Sequence, residues 1–130
     1  MKKLLTAGLL SLFLFTACKK DTQPAPPSLK GKWTIENFVY KEYVGGALTD
    51  TYSEPGNGGT MDFQNNGNVV ITIPGDPVNS APYTIKPDSK VDIDGDIFEI
   101  RNLTTSNVTL FIREDYAPGE YDELYINLKR

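Results

Sequence analysis

The stretch KVDIDGDIFEI, residues 90–100, decides how this chain folds. Val91 and Ile93 alternate with polar residues on one side of an Asp-Gly pair, and Phe98 and Ile100 do so on the other. Alternation with a period of two marks a strand with one apolar face. Asp94-Gly95 between two such runs is a hairpin signal, because a type I′ turn needs positive φ at both central positions. The same residues invite a second reading. Asp92, Asp94 and Asp96, with Glu99 behind them, suggest a calcium loop. An EF-hand loop runs D-x-[DN]-x-[DN]-G with a glutamate much later. Here Gly95 falls between the second and third aspartates, and strand-like residues follow at once. The stretch is therefore expected to be a hairpin, with its aspartates turned to water and no metal bound.

Working outward, the same pattern recurs. KWTIENFVY (32–40) sets Trp33 and Ile35 on one face and changes phase near Asn37, as a β-bulge allows. TMDFQ (60–64), VVITI (69–73), YTIK (83–86), NVTLFIR (107–113) and ELYINLKR (123–130) are further strands beside 90–94 and 96–101, eight in all. NNGN (65–68) is a tight turn in which Gly67 is free to take positive φ. The prolines fall in loops or at strand ends, where no ladder hydrogen bond is lost. No segment carries a helical period. Eight sequential strands with mostly short connections predict an all-β, antiparallel, up-and-down meander. Closure into a barrel removes its edges. The expected inward set is Trp33, Ile35, Met61, Phe63, Tyr83, Ile85, Val91, Ile93, Phe98, Ile100, Leu110, Ile112, Leu124, Ile126 and Leu128. In the strand 69–73 the phase is open, since Val69, Ile71 and Ile73 compete with Val70.

Composition narrows the chemistry. There is no histidine, and Cys18 is the only cysteine. Ser-His-Asp and Cys-His catalysis and the common zinc sites are thereby excluded. The formal net charge is −4, from 13 basic and 17 acidic residues. With Lys2 and Lys3 removed, 11 basic residues face 17 acidic ones, a charge of −6. Such a balance is unsuited to nucleic acid. Carboxylate pairs such as Glu114/Asp115 or Asp122/Glu123 could serve a glycosidase. They bracket EDYAPGEYDE (114–123), which reads as a solvated loop. An enzyme is not expected, nor is a cofactor.

The N-terminus speaks of location. MKK followed by LLTAGLLSLFLFTA is a charged start and an apolar run shorter than the roughly 20 residues of a membrane span. It ends in small residues before Cys18, as a secretory signal does. FTAC (15–18) resembles the lipobox of bacterial lipoproteins, with Phe15 where leucine is usual. The resemblance implies that residues 1–17 are a signal peptide and that Cys18 is lipidated. The protein would then be held at the cell envelope, at the outer membrane, by its acyl chains. Residues 18–28, the cysteine and a proline-rich stretch, read as a tether. The CKKD start partly resembles a surface-export tag, which leaves the periplasmic and outer faces both open.

Residues 29–130 form the remaining domain. LKGKW, GTMDFQNNGNVVI, YTIKPDSKVDIDGDIFEI and DELYINLKR, in that order, resemble the lipocalin-like domain of bacterial lipoproteins. The resemblance implies a small lipocalin-like barrel in which Gly31 and Trp33 occupy the Gly-x-Trp positions and the indole plugs the closed end. It also implies an arginine stacked on that ring, either Arg130 or Arg113. YVGGALTDTYSEPGNGG (43–59) then lies where such barrels carry a lid over the open mouth. Its glycines suggest mobility and its tyrosines contact.

Three functions follow from different classes. One is a barrel that binds a small apolar or amphipathic ligand at a modest pocket beneath residues 43–59. Tyr43, Tyr52, Tyr83 and Tyr116 are its candidate contacts, since a phenol offers a hydrogen bond at the rim of an apolar wall. The second is an accessory module that docks on an envelope protein. The third is an enzyme, which composition disfavours. The expected partners are thus the membrane, through the lipid anchor, and a small ligand or an envelope protein.

Overall fold

The computed structural model describes residues 25–130. The expected signal peptide 1–17, Cys18 and the expected tether up to residue 24 lie outside the described residues. The rest is β-structure: β1 Gly31–Val44, β2 Ala47–Pro55, β3 Thr60–Phe63, β4 Asn68–Thr72, β5 Asn79–Lys86, β6 Lys90–Ile93, β7 Asp96–Arg101, β8 Asn107–Ala117 and β9 Glu120–Lys129. All pairings are antiparallel, in the order β2-β1-β3-β4-β5-β6-β7-β8-β9. An additional β1–β9 pairing closes eight of the strands into a barrel, and β2 is the extra strand.

The decisive hairpin is as expected. Val91 pairs with Phe98 and Ile93 with Asp96, around a turn in which Asp94 and Gly95 have φ of 54° and 98°. The Asp92 carboxylate accepts the Gly95 backbone N–H at 2.8 Å and pairs with Lys86 at 3.4 Å. The bulge in β1 also falls where the phase changes, between Ile35 and Asn37 on the β9 side.

The core contains Leu29, Trp33, Ile35, Met61, Phe63, Val69, Val91, Val108, Leu110 and Leu128, each at most 3 % exposed. Val69 settles the phase of β4. Ile85 departs from the expected inward set, at 43 % exposed. It keeps the parity of Tyr83 but stands beside the end of β5. Parity sets the direction of a side chain, not its depth.

At one end the barrel is plugged. The Trp33 indole is wholly buried and its Nε1–H donates to the Leu29 carbonyl at 2.7 Å. The Arg130 guanidinium lies 3.9 Å from the ring centroid, a cation–π contact. It also donates to the carbonyls of Ser28, Lys30 and Thr105. Gly31 has φ of +102°, and a Cβ there would stand 3.1 Å from Arg130 Nη1. Glycine is thus favoured by the backbone, and it leaves the arginine room to lie close. Arg113, the other candidate, stacks on Tyr121 instead.

Residues 43–59 are not a mobile lid. Gly45 and Gly46, with φ of 60° and 76°, make a two-residue hairpin turn, and Ala47–Pro55 runs back along β1. One edge of β1 therefore serves two partners: β3 at residues 31–34 and β2 at residues 37–44. The glycine-rich GNGG (56–59) makes the changeover. Gly59 accepts from the Ile35 N–H at 2.8 Å, and Gly56 donates to the Glu36 carbonyl at 3.0 Å. A Cβ on Gly56 would meet the Ile35 carbonyl oxygen at 1.9 Å. The glycines permit close backbone approach, not motion.

EDYAPGEYDE is likewise not a loop. β8 and β9 continue to a turn at Pro118-Gly119, where Gly119 has the φ of +76° suited to the third position of a type II turn. The two hairpin tips are tied by a hydrogen bond from the Gly46 N–H to the Gly119 carbonyl at 2.9 Å. Strands β2, β1, β9 and β8 thereby form a joined wall that extends the barrel at the end opposite its plug.

Candidate functional site

The inner face of this wall is read from register. Directly opposed residues share a face of the sheet. Phe38 packs on the core and opposes Ile126 on β9 and Glu54 on β2. Two residues on, Tyr40 opposes Leu124 and Tyr52, and Leu124 opposes Ile112. Another two residues on, Glu42 opposes Asp122 and Asp50, and Asp122 opposes Glu114. The wall thus steps from apolar, through aromatic, to acidic as it leaves the barrel.

At this step lies a cavity of about 370 Å³. Tyr40, Tyr52, Phe98, Ile112 and Leu124 line it, with Asp96, Glu114, Tyr116 and Asp122 toward the rim. The rings of Tyr40 and Tyr52 stack at 4.7 Å between centroids and 15° between planes. Burial raises the Tyr40 hydroxyl above its ordinary value, and the Glu54 and Tyr52 side chains add to this. The Tyr116 hydroxyl lies 3.0 Å from Asp122 Oδ2 and 3.1 Å from Glu114 Oε2. Those hydrogen bonds, Asp122 first, push its pKa up to about 12.

Of the four tyrosines expected at a pocket, the structure brings Tyr52 and Tyr116 together. Tyr43 points to the outer face, where its ring stacks on Tyr121 at 4.4 Å and its hydroxyl donates to Glu123. Tyr83 belongs to the core. Its ring meets Phe63 edge-on at 5.2 Å and its hydroxyl donates to the Gln64 carbonyl at 2.7 Å. Gly31 and Trp33 stand at the plugged end, and Cys18 lies outside the described residues.

Sequence reasoning missed Tyr40, Asp96, Glu114 and Asp122. The signal for Tyr40 was parity counted onward from Phe38, past the bulge. The acids required β8 and β9 to be extended through EDYAPGEYDE. Of the paired carboxylates in that stretch, Glu114 and Asp122 face inward and oppose each other, whereas Asp115 and Glu123 face outward. Asp96 is exposed, as expected, but it opposes Ile93 on the inner face and so also lines the cavity.

The outer face carries the cations. Arg113 stacks on Tyr121 at 3.5 Å and pairs with Asp115 at 2.6 Å. Arg101 covers Phe111 at 3.5 Å, which leaves that outward phenylalanine only 7 % exposed, and Lys41 lies over Tyr125. The Tyr125 hydroxyl, raised to about 12 by burial and then by its hydrogen bond to Glu123, completes this strip. Among the described residues no group of three histidine, cysteine, aspartate or glutamate side chains is placed to hold a metal ion. Comparison with protein-family models and with curated proteins found no match.

Proposed function

We propose that this chain is a lipid-anchored lipoprotein of the bacterial envelope, related to the lipocalin-like lipoproteins, whose barrel binds a small amphipathic molecule at its mouth. The cavity carries this reading. It is walled by stacked tyrosines and aliphatic side chains, with polar groups confined to the rim, the arrangement that orients an amphipathic ligand. Its volume falls at the low end of the roughly 300–1,000 Å³ usual for ligand pockets. The opposite end supports the reading too, because the Trp33–Arg130 plug leaves the mouth as the way in. The joined hairpin tips hold the wall in place, so the site is largely formed before any ligand arrives. The anchor rests on FTAC and Cys18. The role is non-catalytic: no histidine is available, and the inward carboxylates share a hydroxyl rather than flank a substrate-sized gap.

An environment-sensitive amphipathic dye tests the site. Saturable binding that falls on Tyr40→Ala and Tyr52→Ala but not on Tyr43→Ala is the expected result. Dye binding that is absent, or indifferent to both inner tyrosines, overturns it. For the anchor, Cys18→Ser should move the protein from the membrane fraction to the soluble periplasm. A variant that stays membrane-bound removes the lipoprotein reading.

The strip of Tyr43, Tyr121, Arg113 and Tyr125 on the outer face, with Arg101 over Phe111, favours a second reading, an accessory module docked on an envelope protein. Aromatic residues and arginine are the side chains enriched at such contacts. Native mass spectrometry of the protein taken from its own envelope separates the two, by a retained small molecule or a retained polypeptide.

A further inference from the structure

We propose that the ligand of the mouth is an organic cation, an ammonium group carried on a small apolar body. The inference rests on the mouth being the ligand site and adds the charge of what enters it.

The aromatic cavity comes first. The stacked Tyr40–Tyr52 pair, with Phe98, Ile112 and Leu124 behind it, makes a floor that accepts an apolar body and offers ring faces to a cation. No lysine or arginine lines the cavity. The cations of the same strands, Lys41, Arg101 and Arg113, lie on the outer face against Tyr125, Phe111 and Tyr121.

The rim above that floor is then charged in one sense only. Asp122 and Glu114 line the cavity and stand opposite each other across β9 and β8, and Glu42 and Asp50 continue the row outside it across β1 and β2. Like charges so opposed destabilise a ladder. None of the four ion pairs among the described residues relieves them, and Asp96 is equally without one. The Tyr116 hydroxyl sits between Glu114 and Asp122 but has one proton for two acceptors. A positively charged ligand head would relieve this row, whereas a carboxylate head would add to it.

The row also argues against a metal ion. Neighbouring strands lie about 4.8 Å apart, so four in a row spread their carboxylates over roughly 14 Å instead of gathering them around a point. An ammonium group spread over methyl or methylene substituents, lying on tyrosine faces under a diffuse negative rim, matches that geometry.

Three probes with one tail test this on the purified full chain, below their micelle thresholds: hexyltrimethylammonium, hexyl glucoside and hexanoate. Calorimetry should show the ammonium binding about tenfold tighter than the glucoside and hexanoate not binding. The preference should fall on Asp122→Asn with Glu114→Gln, and separately on Glu42→Gln, and should weaken at about 0.5 M salt. The carboxylate variants should melt no lower than the parent, because each removes repulsion. Glucoside or hexanoate binding as well as the ammonium, or an ammonium affinity indifferent to these variants, overturns the cation and leaves the mouth as a ligand site. Calcium that displaces the ammonium and binds more tightly transfers the rim to a metal. If none of the three probes binds, the mouth itself is not a ligand site and both readings fall.

Discussion

Strand β1 serves both ends of the barrel with opposite chemistry. Its first residues, Gly31 to Ile35, run against β3 and bury the indole beneath Arg130, with the indole N–H paired to the Leu29 carbonyl. Its later residues, Phe38 to Glu42, run against β2 and β9 and leave stacked rings and carboxylates around a cavity. Between them lie the bulge at Ile35–Asn37 and the glycines that exchange one partner strand for another. One end therefore spends its aromatic surface on stability and the other keeps it for contact. Aromatic residues in a barrel are not equivalent; what matters is whether the residues opposite close over them.

The largest test of that contrast is Trp33→Ala. Truncating a wholly buried aromatic costs about 3–5 kcal/mol, a large share of the stability of a small domain. Denaturation in urea, followed by circular dichroism, should find the variant unfolded or nearly so. A loss below about 1 kcal/mol would mean that the plug does not close the barrel.

Gly56→Ala probes the junction between the two ends. Its Cβ would overlap the Ile35 carbonyl, so β1 or the turn must move. A loss of about 3 kcal/mol is expected, at the upper end of the usual range for a single substitution. Gly58→Ala in the same turn meets nothing within 4 Å and carries only the strain of φ of +81°, about 1–2 kcal/mol. Equal losses at the two positions would refute close approach as the reason for the glycines.

Tyr52→Ala reverses the balance at the mouth. The tyrosine is 45 % exposed, so only its stacking on Tyr40 is at stake, about 1 kcal/mol. Dye binding should nevertheless fall severalfold. If stability falls as far as in Trp33→Ala, the two ends are built alike.

The smallest effect is in pH. Tyr116 and Tyr125 titrate near 12 when folded, above the ordinary 10.0. A raised value means that the protonated phenol belongs to the fold. Its contribution is present in full below pH 10 and is lost as the pH climbs through about 12. Tyrosinate absorbance should show two late-ionising phenols, and Tyr116→Phe should remove one. The late pair persisting in that variant would break the hydrogen bonds assigned to Glu114 and Asp122.

Local signals in the sequence determined the strands around Asp94-Gly95, the turn at Gly67, the bulge near Asn37 and the inward parity of most of the core. They did so because alternation and turn chemistry act over a few neighbouring residues. Trp33 could be placed in the core for the same reason. The choice of Arg130 over Arg113 as its cover depends on residues far apart in the chain, and only closure of β1 on β9 made it. The other edge of β1, shared between β3 and β2, decided that GNGG within residues 43–59 is a tight crossing rather than part of a mobile lid. A glycine's freedom and a glycine's smallness look identical in sequence, and only the Ile35 carbonyl beside Gly56 distinguishes them. EDYAPGEYDE was polar enough to read as a loop. As strand it places Glu114 and Asp122 face to face, so the acidic rim exists only in the register of the folded sheet.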